Sequence, residues 1–127
     1  MRTILVIEDE PLLRDNLIEL LEALDFEALV AENGCIGVNL AKSHHPDLIL
    51  CDVMMPELDG YGVLKTLRQD PDIAEIPFVF LSAKAAKEDL SQAKALGADG
   101  YVTKPFAISE LLGVIEAQLE RRVAHEH

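Results

Sequence analysis

Leu48-Ile49-Leu50-Cys51-Asp52-Val53-Met54-Met55-Pro56-Glu57-Leu58-Asp59-Gly60 is the stretch that decides the fold. Its first four residues are apolar without alternation, as a strand covered on both faces requires; such strands belong to parallel sheets between layers of helix. The run ends on a carboxylate, Asp52. A charge at the mouth of a buried strand costs free energy unless something pairs with it or binds it. Asp59 then supplies an N-cap for a helix that turns Val63, Leu64 and Leu67 inward.

The same unit recurs on either side. Strands are predicted at Ile4–Ile7, Ala28–Ala31, Leu48–Cys51, Phe78–Leu81 and Tyr101–Thr103. Leu13, Leu17, Leu20, Leu21 and Leu24 share one helical face behind Pro11, which suits a first helical turn. Asn33-Gly34 opens a second helix carrying Ile36, Val38, Leu40 and Ala41. Leu90, Ala93, Ala95 and Leu96 mark a fourth, closed by Gly97, and Ile108, Leu111, Leu112, Ile115 and Leu119 a fifth. Five βα units in succession predict an α/β fold: a doubly wound parallel sheet with helices on both faces.

At 127 residues and 50% apolar, the chain suits one domain, with residues 1–122 as its body. Residues 123–127 read as a C-terminal tail, either a natural end or the start of a linker. A net charge of −12 repels nucleic acid and anionic membrane, so direct binding to either is not expected. No apolar run reaches the length of a bilayer span and Met1-Arg2-Thr3 leads straight into a strand, so no signal peptide is expected. Cys35 and Cys51 read as two small buried hydrophobes rather than a disulfide, which fits a cytoplasmic protein.

Glu8 and Asp9 close the first strand, Asp52 the third, Ser82 the fourth and Lys104 the fifth. In an open parallel sheet this carboxyl edge is where ligands bind. Taken singly, Glu8, Asp9 or Asp59 reads as a solvated turn or capping acid; gathered at one edge, the set reads as a site. Clustered carboxylates repel, so one must hold a proton or all must share a cation. Hard oxygen ligands in small number suit Mg²⁺, which takes a phosphoryl oxygen readily. A carboxylate can attack phosphorus, Lys104 can neutralise the phosphoryl charge, and the Ser82 hydroxyl can hydrogen-bond one of its oxygens. The residues therefore point to a Mg²⁺-assisted aspartyl phosphate on Asp52.

These motifs resemble the receiver domain of two-component response regulators, the CheY-like family, over residues 2 to 120. Val6-Ile7-Glu8-Asp9-Glu10 resembles the family's acidic pair. Asp52 with Met55-Pro56 and Asp59-Gly60 resembles its phosphoacceptor loop, Leu81-Ser82-Ala83 its switch motif, and Lys104-Pro105-Phe106 its Lys-Pro-Phe motif. The resemblance implies a flavodoxin-like (βα)5 sheet in strand order 2-1-3-4-5 and a cis Lys104–Pro105 bond. It implies phosphoryl transfer to Asp52 from a sensor histidine kinase or a histidine phosphotransfer protein. Asp9 and Asp52 would bind Mg²⁺ directly, Met54 through its backbone carbonyl, and Glu8 mainly through water. Ser82 and Tyr101 would act as the switch, Tyr101 packing inward in the phosphorylated form. An effector, or an effector domain of the same protein, would meet the face of the fourth helix, fifth strand and fifth helix, with room for a homodimer on phosphorylation. Met54 and Lys84 flank the expected path of hydrolytic water and are assigned to tuning phosphate lifetime. Departures from the family pattern are mild: Glu8 stands for an aspartate and Ser82 for the commoner threonine.

Two other functions compete. A Mg²⁺-dependent phosphatase with an aspartate nucleophile would want a second acid two places beyond Asp52, where Met54 stands. A pseudo-receiver that only binds partners would want Asp52, Lys104 or the acidic pair missing. No GxGxxG or GxxxxGK[ST] is present, so nucleotide binding is not expected. His44 and His45 lack companion ligands for a metal. Leu119-Glu120-Arg121-Arg122 carries no Gly or Pro stop, which favours a receiver cut from a longer protein over a stand-alone one.

Overall fold

The computed structural model describes residues 2–84 and 86–126, with residues 122–126 as backbone only. Strands β1 (Thr3–Ile7), β2 (Glu27–Ala31), β3 (Leu48–Asp52), β4 (Phe78–Ser82) and β5 (Gly100–Thr103) alternate with helices α1 (Pro11–Ala23), α2 (Gly34–His44), α3 (Gly60–Arg68), α4 (Lys87–Ala95) and α5 (Ile108–Glu126). The sheet is parallel throughout and ordered β2-β1-β3-β4-β5, as expected. Chain order reverses beside β1, so the carboxyl ends of β1, β3 and β4 open on a crevice between adjacent loops.

Strand position explains strand composition. The last four residues of β1 and all five of β3 and of β4 are buried. The edge strands β2 and β5 are mostly half-buried. On one face Leu5, Ile7, Ile49, Cys51, Phe78 and Phe80 pack under α2, α3 and α4. On the other, Ile4, Val6, Leu50, Val79 and Leu81 pack under Leu17 and Leu21 of α1 and Leu111, Ile115 and Leu119 of α5. Each such side chain contributes about 1.5–3 kcal/mol through burial.

Local signals behave as their chemistry predicts. Pro11 stands in the first turn of α1. The Asn33 side chain accepts a hydrogen bond from the Ile36 N–H at 2.8 Å, and that of Asp59 from the Gly62 N–H at 2.9 Å. Gly97, just past α4, adopts φ +97°, a conformation glycine takes without penalty. The Lys104–Pro105 bond is cis.

Some expectations are corrected. β3 and β4 each run one residue further, because Asp52 and Ser82 still pair with Leu81 and Thr103. Cys35 is exposed and only Cys51 is buried; both are free thiols. Ile36 is likewise exposed. The cause is Gly37, which lies so close to Ile7 that a Cβ would collide with that side chain. The helix approaches the sheet on Gly37 and carries Cys35 and Ile36 to the outside. Ile108 and Leu90 are also exposed. Residues 123–126 of the tail continue α5, which leaves the division at residue 122 untouched, and His127 lies outside the described residues.

Candidate functional site

Parallel pairing sets the ends of β1, β3, β4 and β5 side by side, and with them Glu8, Asp52, Ser82 and Lys104. The Lys104 ammonium lies 2.9 Å from Asp52 Oδ2 and 2.9 Å from Glu8 Oε1. Glu8 is 1% exposed and Asp52 7%. Asp9 is exposed. Glu8, Asp9 and Asp52 each present a carboxylate oxygen within 4.8 Å of the other two. The backbone holds these groups in place. Met54 N–H donates to Asp52 Oδ1 at 3.1 Å, and Glu10 N–H to Glu8 Oε2 at 3.2 Å. Lys104 N–H donates to the Ser82 carbonyl at 2.8 Å.

The electrostatics follow from this crowding. Burial pushes the Glu8 carboxyl up to about 7, with the Asp52 charge adding and the Lys104 hydrogen bond opposing. Burial works against the Lys104 ammonium, but the hydrogen bonds and charges of Glu8 and Asp52 outweigh it and raise its pKa. Three carboxylates against one ammonium leave an excess of negative charge, and all the donors are hard oxygens. The set fits Mg²⁺, whose charge and preference for few carboxylates match it.

The Glu8 carboxylate also accepts a hydrogen bond directly from the Lys104 ammonium at 2.9 Å. Ser82 is buried, and its Oγ accepts the Lys84 N–H at 3.1 Å. Tyr101 is half-buried, tilted against Phe80 with ring centroids 5.9 Å apart. Its hydroxyl donates to the Lys84 carbonyl at 2.8 Å. The Met54 side chain is exposed. Lys84 is drawn aside, its ammonium 4.0 Å from Asp89 in the first turn of α4.

Sequence reasoning missed Arg14, which donates to the Glu8 carbonyl at 3.1 Å and fixes the β1–α1 turn. It also missed the closeness of Gly60, where a Cβ would collide with the Asp52 carbonyl oxygen. The Asp59-Gly60 pair was the only signal for it.

Fold and site together define a phosphoryl-accepting switch of two-component signalling. Residues 4–116 match the response regulator receiver domain family, and the chain belongs to it. It is 39% identical over 121 residues to the DNA-binding dual master transcriptional regulator RpaA of Synechocystis, covering 95% of this chain and 50% of that protein. It is 31% identical over 118 residues to the polar-differentiation response regulator DivK of Brucella ovis, covering 93% of this chain and 96% of DivK. The chain thus spans half the length of RpaA and nearly all of DivK. Among solved structures it is similar to the receiver domain of a sensor histidine kinase from Pseudomonas aeruginosa, solved with magnesium coordinated in its active-site cleft. The TM-score is 0.87 at 27% identity, covering 94% of this chain and 98% of that one.

Proposed function

We propose that Asp52 is the phosphoacceptor, taking a phosphoryl group from a phosphohistidine on a sensor histidine kinase or a histidine phosphotransfer protein. The observation that carries this reading is the Lys104 ammonium at 2.9 Å from Asp52, inside a cluster of three carboxylates. An Asp52 carboxylate oxygen forms the new O–P bond as the P–N bond breaks, and the electron pair leaves with the imidazole. Lys104 offsets charge on the transferred group, and the Ser82 hydroxyl turns to donate to one of its oxygens. Asp9, Asp52 and the Met54 carbonyl would hold Mg²⁺, with Glu8 behind them. Mg²⁺ would supply charge neutralisation and alignment of the phosphoryl oxygens. The magnesium named for the Pseudomonas receiver supports this assignment.

The phosphorylated state is stabilised because Ser82 and Lys104 gain contacts there, which shifts a two-state equilibrium read on the face of α4, β5 and α5. An effector, an effector domain of the same protein or a second copy of this chain would dock there. Exposed Met54 is assigned to control of hydrolytic water; Lys84 shares the role only when it lets go of Asp89. A cytoplasmic location is supported by the free thiols.

The test is incubation with acetyl phosphate, with and without Mg²⁺, read by intact mass beside Asp52→Asn. A gain of one phosphoryl group that needs both Mg²⁺ and Asp52 is expected. No gain under conditions that load a known receiver would overturn the assignment.

A further inference from the structure

Among the described residues, the hydroxyl of Tyr61 is the one buried side-chain polar atom with no hydrogen-bond partner. Its ring packs edge-on against Phe80, centroids 5.4 Å apart, and Phe80 also carries the ring of Tyr101. Burial pushes the Tyr61 phenol up, and Tyr101 is the next contributor, ahead of Asp89 and Asp59. Tyr61 and Tyr101 are therefore neighbours on one aromatic support, and the two hydroxyls fare differently. That of Tyr101 reaches the Lys84 carbonyl; that of Tyr61 reaches nothing.

A buried hydroxyl without a partner penalises the conformation that buries it, whereas water satisfies it at no cost once it is exposed. The arrangement described here has Tyr101 packed inward on Phe80. We propose that the Tyr61 hydroxyl is a counterweight on the switch: inward packing of Tyr101 closes it off from water unpaired, and outward release of Tyr101 wets it again. This inference rests on the reading of Tyr101 as the switch residue. Tyr61 is then a positioning residue, since it touches Phe80 and not the phosphoryl group. Its effect is to weigh against inward packing of Tyr101, a penalty that contacts from Ser82 and Lys104 offset in the phosphorylated form.

Tyr61→Phe removes the oxygen and keeps the ring on Phe80, so the folded core is preserved. The chain has two tyrosines and no tryptophan, so in this variant intrinsic fluorescence comes from Tyr101 alone. The probe is Mg²⁺ with beryllofluoride, a phosphoryl mimic, titrated into the parent protein and into Tyr61→Phe. Removing the penalty should raise the inward population before any mimic is added, and lower the half-saturating beryllofluoride concentration by about tenfold. An unchanged half-saturation point, or a rise in it, overturns the counterweight while leaving the site reading intact. Absence of any response in the parent protein sinks both together.

Discussion

The Lys104 ammonium holds the Glu8 carboxylate at 2.9 Å although 96 residues separate them, and Glu8 is almost wholly buried. Burial nonetheless lifts the Glu8 pKa from 4.5 to about 7. The folded protein therefore binds more protons than the unfolded chain between those values, and its stability must fall as pH rises through that window. The Lys104 pKa is raised as well, so its contribution persists until pH climbs past 10.5 and does not cancel the trend. Metal-free protein should lose stability to urea steadily from about pH 4.5 to about pH 7. Glu8→Gln should flatten the slope, and saturating Mg²⁺ should flatten it too by favouring the ionised carboxylates. An equal slope in Glu8→Gln would assign the trend to other groups.

Lys104→Met removes the cation that two buried carboxylates share. Phosphorylation of Asp52 by acetyl phosphate should slow by about 100-fold or more, the usual cost of losing one group aimed at developing charge. Stability should fall too, though by less than the usual penalty for an abandoned buried charge, because Glu8 can take up a proton. Stopped-flow loading and urea melts measure the two effects separately. Loading at the parent rate would show that Lys104 is not part of the chemistry.

What the sequence made legible follows from what strands and helices write into it. β1, β3 and β4 are continuous apolar runs broken by a charged or polar residue, so both the sheet and its functional edge were readable. Caps at Asn33 and Asp59 were readable because they act within three residues. The pairing of Glu8 with Lys104 was not, since it depends on which strands are neighbours rather than on any local spacing. Helix rotation was also hidden. Cys35 and Ile36 face outward because Gly37 meets Ile7, a contact no periodicity reports.

Gly60 occupies the point where the loop after β3 returns to the strand. Its N–H donates to the Val53 carbonyl at 2.9 Å, and a Cβ would meet the Asp52 carbonyl oxygen and the Phe80 ring. Backbone cannot yield as a flexible side chain can. Gly60→Ala should destabilise the fold by about 1–3 kcal/mol, as overpacking does. It should also slow Asp52 phosphorylation, since the shifted atoms are those of the acceptor's own backbone. Denaturation with parallel loading kinetics tests both parts; an alanine tolerated in each would mean the loop has slack that the packing does not reveal.

Arg68 pins the opposite end of the sheet. One guanidinium nitrogen donates to the Ala74 and Ile76 carbonyls at 2.9 and 2.8 Å, the other to the Gly97 carbonyl and Asp99 Oδ2, both at 2.9 Å. Asp99 Oδ2 also accepts the Phe78 N–H at 2.8 Å, so the group ties the end of α3 to the starts of β4 and β5. A planar fork reaches four acceptors on two segments, and a lysine ammonium cannot. Arg68→Ala should cost about 2–4 kcal/mol, since charge-assisted bonds are lost and part-buried carbonyls go unpaired. Arg68→Lys should recover less than half of that. Because the residue lies at the far edge from Asp52, folded Arg68→Ala should still take up one phosphoryl group from acetyl phosphate at close to the parent rate. A loss of loading that exceeds the loss of folded protein would show instead that this clip transmits to the site.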